Sequence, residues 1–160
     1  ILPIKLKKLA YIDILINRKP IQITTPIMMC LFGFNKRTNE ICLQFTDYKN
    51  NEEMNNFFNF IQHLEYSQMR YIGFNENDCD NYNSQIKQDK DEKYDPYLAV
   101  KVPFRYNKYE IDIKNKENNE ISILNLYNFT KVKCDIYIDK IWKYNDKYIC
   151  KWKVKRLLII

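Results

Sequence analysis

At 160 residues, with 46% apolar and 29% charged side chains, the chain is long enough for one domain with a proper core, and its composition excludes wholesale disorder. Two glycines exclude a Gly-rich phosphate loop, and a single histidine, His63, leaves any zinc site or His-based triad to be built around it alone. The net charge of +6 divides into +3 over residues 1–74, −4 over 75–96 and +7 over 97–160, so the basic excess and the argument for a polyanionic partner lie in the C-terminal stretch.

Residues 4–17 read as a strand, with Leu9, Tyr11 and Leu15 alternating against Ala10, Ile12, Ile14 and Ile16. Apolar residues on both faces predict a central strand. Arg18-Lys19-Pro20 breaks it, Ile21–Ile23 resumes in extended form, and Thr25-Pro26 is a second break. Ile27 to Phe34 reads as a buried strand, Asn35–Asn39 as a polar, basic turn, and Glu40–Phe45 as a strand with Ile41, Leu43 and Phe45 inward, so 27–34 and 40–46 form a hairpin. Asn51 is an N-cap, followed by Glu52 and Glu53 where the helix dipole favours carboxylates. Met54, Phe57, Phe58, Ile61 and Leu64 then make one apolar stripe on a helix running to about Tyr71, with His63 at its surface.

Asn75–Pro96 has almost nothing apolar and reads as a flexible, acidic surface insertion. Its carboxylates lack the glycine and terminal glutamate of a calcium-binding loop. After it, Leu98, Val100, Val102 and Phe104 alternate inward, Tyr106-Asn107 turns the chain, and Tyr109, Ile111 and Ile113 alternate again. The last third reads as a half-buried hairpin of 131–144 and 147–156, turning at Tyr144-Asn145-Asp146, with Val132, Cys134, Ile136 and Ile138 inward. Trp142 and Trp152 fall in phase with the inward residues. Many short strands around one helix predict a mainly β protein, a five-stranded Greek-key barrel with one inserted amphipathic helix at about 51–71.

Nothing supports catalysis: there is no nucleophile elbow, no pair of histidines and no metal cluster, so neither catalytic residues nor a cofactor or metal is assigned. Five cysteines without a Cys-x-x-Cys pair read as small apolar residues in a reducing compartment. No apolar run approaches the length of about 18 residues that a membrane span needs, so no membrane partner is expected. What remains is binding. Lys101, Arg105, Lys108, Lys147, Lys151, Lys153 and Lys155 on strand faces and turns would neutralise phosphates, and Tyr106 and Tyr144, next to turns, would stack on bases. Together they predict a sequence-tolerant single-stranded nucleic-acid site.

The order Pro96-Tyr97-Leu98-x-Val100-Lys101-Val102-Pro103, Tyr109-Glu110-Ile111-Asp112-Ile113, Thr130-Lys131-Val132-Lys133 and Ile141-Trp142-x-Tyr144-x-x-Lys147-Tyr148-x-Cys150-Lys151-Trp152-Lys153 carries a resemblance. With Thr25-Pro26-Ile27 to Leu31-Phe32-Gly33-Phe34, it resembles the single-stranded DNA-binding proteins of nucleocytoplasmic large DNA viruses, relatives of the short-tailed podophage protein. The resemblance implies a single OB-fold domain over 1–160, with an inserted helix and the acidic insertion at 75–96. It implies a non-enzymatic protein that coats single-stranded DNA in viral genome replication or recombination, in the host cytoplasm or a viral factory. Homodimer formation is left open. The family's acidic tail, which contacts replication proteins and competes with DNA, is missing: this chain ends on Lys155-Arg156 and an aliphatic run, as expected of a piece cut from something longer. Ile149 stands where the family often has glycine. The bias toward isoleucine, lysine, asparagine and tyrosine, 75 of the residues, fits an AT-rich genome. The alternative reading is a structural or protein-interaction component of a large DNA virus, using the same barrel and its tyrosine-rich surface.

Overall fold

The computed structural model of the chain describes residues 9–15 and 17–160. Four strands, β1 (Leu9–Asp13), β2 (Ile21–Thr24), β3 (Met28–Cys30) and β4 (Glu40–Gln44), precede the helix α1 (Glu52–Ile72). Two short strands follow, β5 (Tyr82–Asn83) and β6 (Ile86–Lys87), then β7 (Tyr97–Lys101), a small hairpin of β8 (Phe104–Arg105) and β9 (Lys108–Tyr109), and β10 (Asp112–Lys114). The last third holds β11 (Thr130–Ile138), β12 (Lys140–Tyr144), β13 (Lys147–Ile149) and β14 (Trp152–Ile159).

Five of these strands close on themselves. β3 pairs antiparallel with β4, β4 antiparallel with β7, β7 parallel with β14, β14 antiparallel with β11, and β11 antiparallel with β3. This ring is the OB-fold barrel, in which closure removes the open edges of its sheet. Its interior is filled by the alternate residues that period-two patterning turns inward: Met28 and Cys30, Ile41 and Leu43, Leu98 and Val100, Val132 to Ile138, and Trp152, Val154 and Leu157, all buried. Burial pushes the thiols of Cys30 and Cys42 up to about 11 and that of Cys150 up to about 12, so they stay protonated.

The helix packs its apolar stripe into the core that the barrel strands share. Asn51 Oδ1 accepts a hydrogen bond from Met54 N at 3.0 Å, and Gly73, at φ 90°, ends the helix by donating to Met69 and Arg70 carbonyls while Phe74 N also donates to Met69. Met54, Phe57 and Ile61 of the expected stripe are buried, and the Phe45 ring meets Phe58 edge-on at 5.0 Å. His63 is exposed.

Several local expectations are corrected. β1 pairs only with β12 among the described residues, at the rim of a small sheet of order β1-β12-β13-β5, rather than as a central strand; positions 4–8 and 16 of the expected strand lie outside the described residues. The strand expected over 27–34 stops at Cys30, because Gly33 adopts φ 65° and turns the chain away. Phe104, expected inward, is 49% exposed, since Val102-Pro103 ends the barrel strand before it. The C-terminal hairpin is two nested ones: β11 pairs with β14 in the barrel, while β12 and β13 turn at Asn145 and join the small sheet. Trp152 is barrel core, but Trp142 is half-buried on the small sheet, its ring 5.1 Å from that of Tyr11. A bulge opposite Asp135 and Ile136 leaves Lys155 as the extra residue, so Lys155 and Arg156 both face outward and strict alternation fails there.

Within segment 75–96, residues 82–87 pack against the helix and the sheets. Tyr82 and Gln85 are buried, β5 pairs with β13, and β6 pairs with β7. The buried Glu65 carboxylate of α1 accepts from Ser84 Oγ at 2.5 Å and Gln85 N at 2.9 Å, and Tyr82 OH donates to Gln68. Burial raises the Glu65 carboxyl above its ordinary value, opposed by those two hydrogen bonds and by the charge of Lys87.

Candidate nucleic-acid interface

Outward residues at one level of the barrel fall in a row fixed by strand register. Glu40 of β4 lies beside Lys101 of β7, Lys101 beside Lys153 of β14, Lys153 beside Tyr137 of β11, and Tyr137 beside Gln22 of β2. Non-local pairing thus brings Lys101 beside Lys153 and its same-face neighbour Lys151, which sequence spacing alone could not do. Lys151 Nζ stands 3.6 Å from Glu40, and Lys153 Nζ stands 3.4 Å from Asp139 and 6.0 Å from the centre of the Tyr137 ring. Lys101, Lys108 and Lys155 have no ion-pair partner among the described residues, which leaves their charge free for an external anion.

The β8–β9 hairpin rises directly from this row. It is anchored by Tyr109, whose ring meets Phe34 of the β3–β4 loop at 5.0 Å and Phe104 at 4.7 Å. At its tip Tyr106 is 88% exposed, between Arg105 and Lys108. Tyr106 and Asn107 have φ of 53° and 61°, the left-handed pair of a tight hairpin turn in which Asn or Gly is favoured. A tyrosine in that conformation costs about 1–2 kcal/mol, so the ring is held in solvent at the expense of local backbone energy. Arg105 Nε pairs with Glu110 at 3.7 Å, both exposed.

The other two expected residues stand apart. Tyr144 and Lys147 flank the turn of the β12–β13 hairpin, whose far end reaches the helix C-terminus: the Phe74 ring contacts Tyr148 at 5.2 Å, and Lys147 Nζ donates to the Asp80 carbonyl at 3.2 Å. Tyr144 is 58% exposed, but the hairpin length separates it from Lys101 and Lys153.

Sequence reasoning missed an aromatic groove over β4 and β7. Phe32, 59% exposed, lies edge-on to Tyr97 at 6.0 Å. On one side of this pair a hollow of about 280 Å³ runs past Cys42 and Ala99 to Glu40, where the lysine row begins. On the other side a second hollow, of about 440 Å³, is lined by Tyr94, Phe129 and Gln44. The wall is β6, fixed by Lys87 Nζ donating to Ser84 O at 2.6 Å and by Ala99 N donating to Gln85 O at 3.0 Å. Lys36 and Arg37, both exposed, overhang the same end in the β3–β4 loop, tied to the barrel by Val102 N donating to Asn39 O at 2.7 Å. The available signal was Gly33: a glycine within an apolar run marks a turn, and a large ring before a turn is often left outside the core.

No protein-family model matches the sequence, and no curated protein does. Solved structures do. The single-stranded DNA-binding protein gp2.5 of bacteriophage T7 superposes with a TM-score of 0.58 at 8% identity, over 88% of this chain and 86% of that one. The single-stranded DNA-binding protein of bacteriophage Enc34 in complex with single-stranded DNA gives 0.56 at 10% identity, over 87% and 85%. A C-terminal truncation of the Enc34 protein gives 0.53 at 12% identity, over 97% and 90%. The likeness is one of fold. The OB fold expected from the sequence is thereby established.

Proposed function

We propose that this protein binds single-stranded DNA, without sequence preference and without catalysing a reaction, across the outer face of β4 and β7. One observation carries the reading: the Phe32–Tyr97 groove opens directly onto the Lys101, Lys151 and Lys153 row, so stacking surface and phosphate-neutralising charge are continuous. Strands two and three of an OB barrel, with the loops between strands one and two and between four and five, are where this architecture takes oligonucleotides. Here the strands are β4 and β7 and the first loop is that of Lys36 and Arg37, while the β12–β13 excursion turns instead to the C-terminal end of α1. The three solved structures belong to phage proteins named for single-stranded DNA binding, which supports the same ligand; a role in viral genome replication or recombination follows from the sequence resemblance. A large DNA virus as owner follows from the sequence resemblance and rests on it.

The test is fluorescence anisotropy with a labelled oligo-dT at low and high salt. Binding in the micromolar range or tighter at low salt, weakening steeply with salt, is expected. Absence of binding at low salt overturns the proposal.

A further inference from the structure

A third hollow lies around the barrel from the groove. Lys19, Pro20, Gln22, Glu110, Tyr137 and Lys155 line an open cleft of about 550 Å³ on the outside of β2, β11 and β14. The cleft and the groove are joined by the register row already described, since Lys153 is the strand neighbour of both Lys101 and Tyr137. Lys19 and Lys155 are both exposed at the cleft, and Arg105 is close enough to Tyr137 to act electrostatically on its phenol. Glu110 is the cleft's acidic residue and is paired with Arg105. Tyr137 is half-buried, with Lys153 Nζ 6.0 Å from its ring centre. Burial and the carboxylates of Asp139 and Glu110 raise the pKa of its phenol, opposed by Arg105. Lys153 and Arg105 are paired with those two carboxylates, which leaves Lys155 and Lys19 as the unpaired cations of the cleft among the described residues.

From this arrangement we infer that the single strand continues past the β4–β7 groove, passes from Lys101 on β7 to Lys153 on β14, and ends in the cleft with a base against Tyr137. The inference rests on the single-stranded DNA reading and extends its footprint. From Glu40 to Tyr137 the path crosses three strand spacings of about 4.8 Å, roughly 14 Å in all. That distance takes about four nucleotides if they stay stacked at about 3.4 Å each, and fewer if they are extended. The groove along β4 is of similar length, so the full path is about twice the groove. Lysines alone would favour any polyanion. The aromatic ring in a cleft that also holds Lys19 and Lys155 is what favours a flexible strand with exposed bases over a duplex, whose bases are stacked on each other.

The experiment compares two labelled oligo-dT probes, one of about four nucleotides that the groove alone accommodates and one of about sixteen, at the upper end of the range that OB folds cover. Tyr137→Ala is expected to leave the short probe within twofold of wild type, to weaken the long probe about five- to tenfold, and to reduce the number of nucleotides occluded per protein. Tyr137→Phe, which keeps the ring, is expected to bind both probes as wild type does. If wild type binds both probes and Tyr137→Ala changes neither affinity nor occluded length, the extension is overturned while the groove stands. If folded Tyr137→Ala loses both probes equally, Tyr137 belongs to the groove's own footprint and the extension is again overturned. If wild type binds neither probe, the single-stranded DNA reading itself falls.

Discussion

Phe32→Ala separates binding from folding at the ring that the groove depends on. Phe32 is 59% exposed, so the hidden part of its side chain contributes about 1 kcal/mol to stability out of the roughly 1.5–3 kcal/mol of a fully buried one. Loss of the edge contact with Tyr97 adds about 0.5–1.5 kcal/mol. The sum, about 1.5–2.5 kcal/mol, is well below the roughly 5–15 kcal/mol of a typical domain, so the variant folds. On the binding side, one stacked base is worth about 1–3 kcal/mol, which corresponds to a roughly five- to 150-fold weaker Kd for oligo-dT. Because no charge is removed, the slope of log affinity against log salt is expected to stay as in wild type. The assay is anisotropy over a salt series, with urea unfolding of the same preparation. Phe60→Ala, which removes a 41%-exposed phenylalanine from the solvent side of α1, is the control and is expected to leave affinity within twofold. If Phe32→Ala also stays within twofold of wild type, the groove is not where bases stack and the reasoning fails.

Lys101→Gln is expected to lower the magnitude of the salt slope by about 0.7, the amount for one phosphate contact on a single strand, measured in the same titrations. Tyr106→Asn is expected to raise stability by about 1 kcal/mol in urea unfolding, by relieving the left-handed tyrosine, and at the same time to weaken oligo-dT binding. Gly33→Ala is expected to cost about 2 kcal/mol or more, seen as a lower urea midpoint, because φ is 65° and the new Cβ would stand 2.6 Å from the Leu126 carbonyl oxygen, which is backbone and cannot swing aside. Glu65 gives a pH prediction. Its folded-state carboxyl is raised above the ordinary 4.5, so the folded protein binds the proton more tightly than the unfolded chain, and stability present below that value is lost as pH rises through the folded value. Glu65→Gln removes this titration, so its stability relative to wild type is expected to increase from acid to neutral pH; a parallel pH dependence of the two proteins would refute the assignment.

The amphipathic helix, its Asn51 cap and the inward residues of β4, β7, β11 and β14 were legible because burial on one face of a regular element repeats with that element's period. The lysines on the opposite strand positions were legible for the same reason. Which charges meet was not, since Lys101 and Lys153 are neighbours only through a parallel pairing between segments about fifty residues apart, and parallel pairing leaves no turn signal in the sequence. Tyr144 and Lys147 looked equivalent to Lys151 and Lys153 by alternation. They part company because Asp139 to Cys150 leaves the barrel and pairs with β1 and β5 instead.

Composition, periodicity and turn residues by themselves therefore determined that this chain builds a mainly β barrel with one helix, that its C-terminal stretch is basic and that its turns carry tyrosines. Tertiary structure decided the rest: that Phe32 is thrown outward by Gly33 onto Tyr97, that segment 82–87 is pinned by Glu65 and walls the groove, and that the groove runs into the lysine row. Each of these depends on contacts between residues distant in sequence, where the deciding quantity is which surfaces the closed barrel leaves uncovered.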